Sequence, residues 1–449
     1  MDALQRILDR PEPDAEDLAA LLALEDPAEL QRLYDAAYAV KAAHVGRVVY
    51  LRGLVEISNV CACDCLYCGI RRSNTGVERY TIEPPEVIAA ARWAWDQGFG
   101  SVVLQGGERR SEDFAAHVED LLLGITDFSG GDCGVTLSLG EQPAATLERW
   151  RRAGASRYLL RIETSDPDLF AAIHADRQGF ADRLAALQRI RAAGYQVGTG
   201  VMIGLPGQTT GHLARDVLFM REYDVDMVGM GPFIPHPDTP LATALGDFAA
   251  ARPRQLELGL KMIACTRLAL RDVNIAATTA LQALAPDGRE RGLLAGANIL
   301  MPNLTDVRFR RGYQLYQGKP GLDEGSQEST RALDRLHPVL DQARLRRAEV
   351  DLPADQTVTP GTYVPVTVTL EELEAAALVP VTALTESPQG APHVFVVRNG
   401  RLAARPVTVL ARSGERAAVT GVAPGERVTL STYLGWTRLA AGREVVVRQ

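Results

Sequence analysis

Four of the six cysteines fall within eight residues, Cys61-Ala62-Cys63-Asp64-Cys65-Leu66-Tyr67-Cys68. Cys61, Cys65 and Cys68 stand at i, i+4 and i+7 behind an apolar run that reads as a strand, so three thiolates come from one loop at a strand end. Thiolates are soft ligands suited to iron-sulfur clusters and zinc. Most cubanes take four cysteines; a site with three leaves one iron open to a further ligand, as catalytic metals require. S-adenosylmethionine (SAM) can chelate that iron through its amino and carboxylate groups. An electron from the cluster then cleaves the sulfonium to a 5′-deoxyadenosyl radical. A structural zinc knuckle is the main alternative, but such sites draw two cysteines from each of two knuckles, and Cys133 and Cys265 are solitary. Cys63 reads as a thiol that is not a ligand.

Polar residues follow at later strand ends. Gly106-Gly107-Glu108 offers close backbone approach and an acid to accept the SAM ammonium. Thr136 and Ser138, then Arg161 and Glu163, alternate along two strand candidates and would point into a common interior. Any one of them could equally be a satisfied core polar group. The turn Gly204-Leu205-Pro206-Gly207-Gln208-Thr209 could lay backbone amides against adenine or ribose. Arg183, on a helical stretch, reads by itself as a solvated charge.

These residues need a scaffold that brings many strand ends together. Eight short apolar runs, at 48–57, 101–105, 134–139, 157–162, 196–203, 227–231, 274–279 and 298–302, are strand candidates. Between them, 84–98, 143–153, 181–193, 211–223 and 253–271 carry apolar residues at helical spacing. Alternating βα units imply a parallel sheet. Eight of them predict an α/β protein built on a (β/α)8 TIM-type barrel, whose active site sits at the C-terminal strand ends. Residues 1–45 read as an N-terminal helical segment, in two pieces broken by Pro11 and Pro13. Residues 46–348 form the barrel unit. Residues 349–449 read as a small all-β module, with strands at Tyr363–Leu370, Val394–Val397, Pro406–Leu410 and Glu444–Val447 and turns at Asn399-Gly400 and Pro424-Gly425-Glu426. A net charge of −8 argues against a nucleic-acid partner. The absence of a leader-like start, of a long apolar span and of a disulfide framework predicts a cytoplasmic protein with no membrane span.

With these residues in view, Cys61-x3-Cys65-x2-Cys68 with Tyr67 before the last cysteine resembles the radical-SAM signature. The segments LQGGE (104–108), VTLSLGE (135–141), RYLLRIETSDP (157–167), MIGLPGQT (202–209), DMVGMGPFIPHPDTPL (226–241), NIAATTA (274–280), GANILMPN (296–303) and YQLYQGK (313–319) together resemble the HydE family of FeFe-hydrogenase H-cluster maturases over roughly residues 25–325. The resemblance implies one 4Fe-4S cluster on Cys61, Cys65 and Cys68. It implies SAM among Tyr67, Gly106, Gly107, Glu108, Thr136, Ser138, Glu163, Arg183, Tyr313 and Tyr316, and an anion-binding substrate cavity at Arg161, Thr278 and Thr279. It further implies a small-molecule or organometallic iron-cysteine substrate, assembly of the diiron subcluster, an electron donor such as ferredoxin or flavodoxin, and contact with hydrogenase maturation proteins. Some family members carry further cysteines near the barrel's end for an accessory cluster; this chain has none after Cys265. A methylornithine-synthase-like mutase or another biotin-synthase-related enzyme is the alternative within the class. Outside it stands an interaction module with a vestigial barrel. The tail resembles the end of an efflux-pump periplasmic adaptor (membrane-fusion protein) through LPADQTVTPGTYVPVTV, LVPVTALTE, HVFVVRNGRLAARPVTV and GVAPGERVTL, and a fusion relic or passive module is expected there.

Overall fold

A computed structural model describes residues 2–174, 179–243 and 248–323, and in the tail 346–347, 364–365, 377–380, 383–386, 392–398, 401–413, 416–423 and 426–428. The barrel strands are β1 (Val48–Leu51), β2 (Gly53–Ser58), β3 (Ser101–Gly106), β4 (Gly134–Ser138), β5 (Ala155–Leu159), β6 (Gln196–Thr199), β7 (Met202–Ile203), β8 (Met227–Val228), β9 (Gly231–Pro232), β10 (Asn274–Ile275) and β11 (Ile299–Leu300). The parallel sheet runs β2-β3-β4-β5-β6-β8-β10. Closure comes from β11, which pairs in parallel with β1 through Tyr50↔Ile299 and Leu51↔Leu300. Bridges Ala276↔Ile299 and Leu54↔Asn303 complete the ring. The sequence supplied the number of strands; these pairings make the sheet a closed barrel.

The side-chain period of two divides each strand between two environments. Val55, Ile57, Val102, Leu104, Val135 and Leu137 join the apolar layer shared with the helices, each burial contributing roughly 1.5–3 kcal/mol. Their neighbours Glu56, Gln105, Thr136 and Ser138 therefore face the interior. Arg52 and Arg157 are buried in the barrel floor, where Arg52 donates to the Met227 sulfur at 2.7 Å.

The helices are α1 (Ala3–Leu8), α2 (Ala15–Leu22), α3 (Pro27–His44), α4 (Pro84–Asp96), α5 (Glu112–Ser129), α6 (Ala144–Arg152), α7 (Pro167–Ile173), α8 (Phe180–Ala192), α9 (Thr210–Glu222), α10 (Pro240–Thr243), α11 (Arg252–Ala269), α12 (Thr279–Leu284), α13 (Gly288–Leu294) and α14 (Val307–Arg310). The N-terminal segment thus holds three helices rather than two. The added break has a local cause: Asp26 caps α3 by accepting from the amides of Ala28 and Glu29, with Pro27 in the first turn. Helix α2 packs on α9, and α3 on α11. Strand candidate 196–203 is likewise two strands, because β7 leaves the ring to pair with β9.

In the tail, Ala377–Pro380, Pro392–Arg398, Arg401–Pro406, Thr408–Ser413 and Arg416–Thr420 are antiparallel strands. Val379, Val394, Val396, Ala417, Val419 and Val428 form their own apolar cluster. The expected strand Pro406–Leu410 is divided between two observed ones. Of Tyr363–Leu370 only Val364–Pro365 is described; Asn399-Gly400, Pro424-Gly425 and Glu444–Val447 lie outside the described residues. Among the described residues no helix is long and apolar enough to cross a membrane.

Candidate active site

The cysteine loop leaves β2 at Ser58 and is tied down along its length. The Asn59 side-chain amide donates to the carbonyls of Glu78 and Gly312, both at 2.7 Å, and its oxygen accepts from Tyr80 N. Arg79 donates to four loop carbonyls, those of Asn59 (2.7 Å), Ile70 (2.8 Å), Arg71 (2.6 Å) and Asn74 (3.0 Å). Asp64 pairs with Arg71 at 2.8 Å. Backbone bonds join Ala62 to Glu108 (2.8 Å), Leu66 to Ile173 (2.9 Å) and Gly69 to Leu315 (3.0 Å). A loop without regular structure is held in this way from the second and fourth βα turns and from the segment after the last strand.

The donor set of this loop, soft thiols brought together on one turn of chain, suits an iron-sulfur cluster. Burial pushes the Cys65 thiol up to about 12 and Cys68 well above its usual range, and neighbouring thiolates raise both further. Cys63 bonds to Cys61 and draws it down, while that same bond and burial push Cys63 up. The three cysteines are half-buried in this loop, and thiolates brought together there would be stabilised by cationic charge, as iron supplies. Gly107 packs against the same loop: a Cβ there would stand 2.4 Å from Val60 O and 2.8 Å from Cys61 Cβ, so the second βα turn must be glycine to lie this close. Cys133 and Cys265 are buried elsewhere.

The polar candidates gather inside the barrel mouth. Glu108 accepts from Arg110 at 2.7 Å and from Glu141 N at 2.8 Å. Glu141 in turn accepts from Arg183 Nε at 2.8 Å, and Arg183 also reaches the Arg161 carbonyl. Arg183 is buried rather than solvated. Arg161 pairs with Glu163 at 3.1 Å. Glu163 has φ 67, a left-handed conformation unusual for a residue with a side chain. Its amide and carbonyl are gripped by Gly200 O (3.0 Å) and Met202 N (2.9 Å). Below it, Asp216 accepts from Ser165 N (2.6 Å) and Ser165 Oγ (2.7 Å). Backbone strain held by surrounding bonds is common where a side chain must be aimed at a ligand.

Thr136 Oγ1, Arg161 Nε and Thr278 Oγ1 are buried without a hydrogen-bond partner, while Glu163 Oε2 has the Arg161 ion pair. Buried polar atoms are ordinarily satisfied. Thr278 stands at the N-cap of α12, yet its hydroxyl makes no cap bond. Thr279 Oγ1 and the Tyr316 hydroxyl pair at 2.8 Å, and Gln105 Nε2 donates to the Tyr313 hydroxyl at 3.3 Å. Ser138 ends β4, and Gly106 ends β3 beside Ser58. Tyr67 lies in an apolar group of Ile173, Met202, Leu205, Phe233 and Leu241, its ring edge-on to His174.

One expectation changes. The amides of Gly204 and Leu205 do not face a ligand, because Gln208 Oε1 accepts from both, at 2.6 Å and 3.1 Å. Sequence reasoning missed Arg79, Arg110, Glu141 and Asp216. Glu141 stood in a quoted motif; Arg79 and Asp216 carry no local pattern, since Arg79 bonds backbone carbonyls of an irregular loop and Asp216 acts on a loop 51 residues away.

Comparison with known proteins agrees with this geometry. Residues 55–238 match the family model of the radical SAM superfamily. The chain is 44% identical over 314 residues to the [FeFe] hydrogenase maturase subunit HydE of Thermotoga maritima, covering 70% of this chain and 86% of that one. It is 27% identical to the 3-methylornithine synthase of Methanosarcina acetivorans, covering 72% of this chain and 87% of that one. Among solved structures, that of a methylornithine synthase superposes with a TM-score of 0.63 at 26% identity, over 77% of this chain and all of the other. The three-cysteine loop, the closed barrel and these similarities agree: the chain is a radical-SAM enzyme and belongs to the HydE family.

Proposed function

We propose that this enzyme acts in assembling the diiron subcluster of FeFe-hydrogenase. In this reading Cys61, Cys65 and Cys68 hold a single 4Fe-4S cluster, which when bound supplies the electron for reductive cleavage of SAM to a 5′-deoxyadenosyl group. Glu108, Thr136, Ser138, Glu163 and Arg183 surround SAM together with Gly106, Gly107, Tyr67, Tyr313 and Tyr316. Arg161, Thr278 and Thr279 receive an anionic substrate, taken to be an organometallic iron-cysteine precursor. The observation that carries the reading is the set of three buried, unpartnered donor atoms on Thr136, Arg161 and Thr278. A guanidinium and hydroxyl donors with unused capacity suit an anion bound in a dry cavity. The deep barrel excludes water from a radical that would otherwise be quenched.

A ferredoxin or flavodoxin as electron donor, contact with hydrogenase maturation proteins and a cytoplasmic location complete the proposal. So does the division into a helical segment (1–45), a barrel unit (46–348) and a β module (349–449). The adaptor-like character of that module rests on its sequence motifs alone, and we assign it a passive role. The test is anaerobic reconstitution followed by turnover with candidate substrates. Cleavage of SAM with adenosylation of an iron-cysteine substrate is expected. Conversion of lysine to methylornithine would favour the mutase, and a chain that takes up no iron would sink the enzymatic reading.

A further inference from the structure

The segment after the last barrel strand has no regular secondary structure across Tyr313–Gln317, yet it lies over the barrel mouth. Gly69 N donates to Leu315 O (3.0 Å), Gln317 N to Pro235 O (3.2 Å) and the Asn59 amide to Gly312 O (2.7 Å). Through these bonds the segment touches the cysteine loop on one side and the loop after β9 on the other. Its near end is pinned by the buried Arg310, which donates to the carbonyls of Asn303 and Gly321, both at 2.7 Å.

The far end is pinned differently. Glu56 faces inward from β2 and is only 1% exposed; Lys319 is 7% exposed, and the two form an ion pair. The Lys319 ammonium also donates to Tyr313 O at 2.8 Å and sits 4.9 Å from the centre of the Tyr313 ring. The second Glu56 oxygen accepts from Asn303 Nδ2 at 3.2 Å, and the Glu56 amide donates to Thr305 Oγ1 at 2.8 Å. Both charges are thus hydrogen-bonded as well as paired, which a buried pair requires in order to persist.

We propose that Glu56 and Lys319 are positioning residues, a buried latch that holds the 310–321 segment across the barrel mouth and thereby sets Tyr313 and Tyr316. A buried ion pair adds little net stability over apolar side chains of the same size. Its directional demand is what it offers: the ammonium satisfies Glu56 and the Tyr313 carbonyl together in only one arrangement of the strap. Tyr313 is then placed against Gln105, and Tyr316 against Thr279. The influence of the latch therefore runs through the strap, by way of the two tyrosines and of the Gly312 and Leu315 carbonyls that bond the cysteine loop.

The test uses the full, anaerobically reconstituted chain carrying Lys319→Met, Glu56→Gln or both. Two quantities are read: hydrogen exchange of amides 311–319, and KM against kcat for reductive SAM cleavage. Neither depends on the substrate assigned above, so failure of that assignment leaves this test intact. Each single variant orphans a buried charge, so exchange should rise by about 100-fold or more. KM for SAM should rise about tenfold or more while kcat at saturation stays within about twofold, as loss of uniform binding requires. The double variant orphans no charge, and both readouts should return to within about tenfold of the parent. Unchanged exchange and KM in the single variants would overturn the latch. A double variant as impaired as the singles combined would overturn it as well.

Discussion

Replacing Arg79 by Met tests whether the cysteine loop is preorganised by one side chain. Arg79 donates at 2.6–3.0 Å to the carbonyls of Asn59, Ile70, Arg71 and Asn74, which flank the cysteines on both sides. A hydrogen bond from a charged donor contributes about 1.5–3 kcal/mol. Bonds sharing one guanidinium are not additive, and water can reach part of the vacated space, so the loss for the loop comes to about 3–5 kcal/mol. At about 1.4 kcal/mol per tenfold, the ordered loop becomes roughly 100- to 4000-fold less favoured. Met keeps the aliphatic stem, leaving the donors as the main change. The assay is release of iron from the reconstituted protein to a chelator under anaerobic conditions, followed by visible absorbance. Arg79→Met should lose iron at least about 100-fold faster while its far-ultraviolet dichroism matches the parent. Arg79→Lys should fall between them, because an ammonium has three donors and no planar fork. Release at the parent's rate from Arg79→Met would refute the reasoning.

Gly107→Ala should take up substoichiometric iron, since its Cβ would meet Val60 O at 2.4 Å and overpacking costs about 1–3 kcal/mol; full, stable loading would contradict this. Asp216 is raised by burial to about 7, above the ~3.9 of an unfolded aspartate. Its contribution to stability is therefore complete below pH ~4 and lost as pH rises through ~7. Asp216→Asn keeps an acceptor for Ser165 without the charge, so its melting temperature should gain on the parent as pH rises from about 4 to about 7. A difference independent of pH would exclude that assignment. Removing residues 349–449 should leave SAM cleavage intact; loss of cleavage by a folded barrel would refute a passive tail.

Much of the fold was legible because its signals are periodic and local. Each helix from α4 to α11 that the apolar spacing marked is present within a residue or two, and strand alternation placed Thr136 and Ser138 on the interior side, whereas Arg161 and Glu163 lie beyond the end of β5 at Leu159. What failed were features set by distant partners. Gly204 and Leu205 looked like a ligand-facing turn until Gln208 took their amides. Arg183 looked solvated until Glu141 and the Arg161 carbonyl enclosed it. The break between α2 and α3 had a local signal, Asp26-Pro27, that the apolar periodicity concealed.

The sequence by itself determined the chemistry. Three thiols at spacings of four and three must share one loop wherever the chain folds, and no second cysteine pair can complete a zinc knuckle. Tertiary structure alone decided how that loop is held and what faces it. The Arg79 bonds span up to 20 residues in sequence, Gly107 meets Val60, and Glu56 meets Lys319 across 263 residues. Spacing along the chain carries no record of such encounters. Gly107 meets Val60 because β2 and β3 are neighbours, and Glu56 meets Lys319 because β11 closes the sheet onto β1, bringing both ends of the barrel sequence to one mouth.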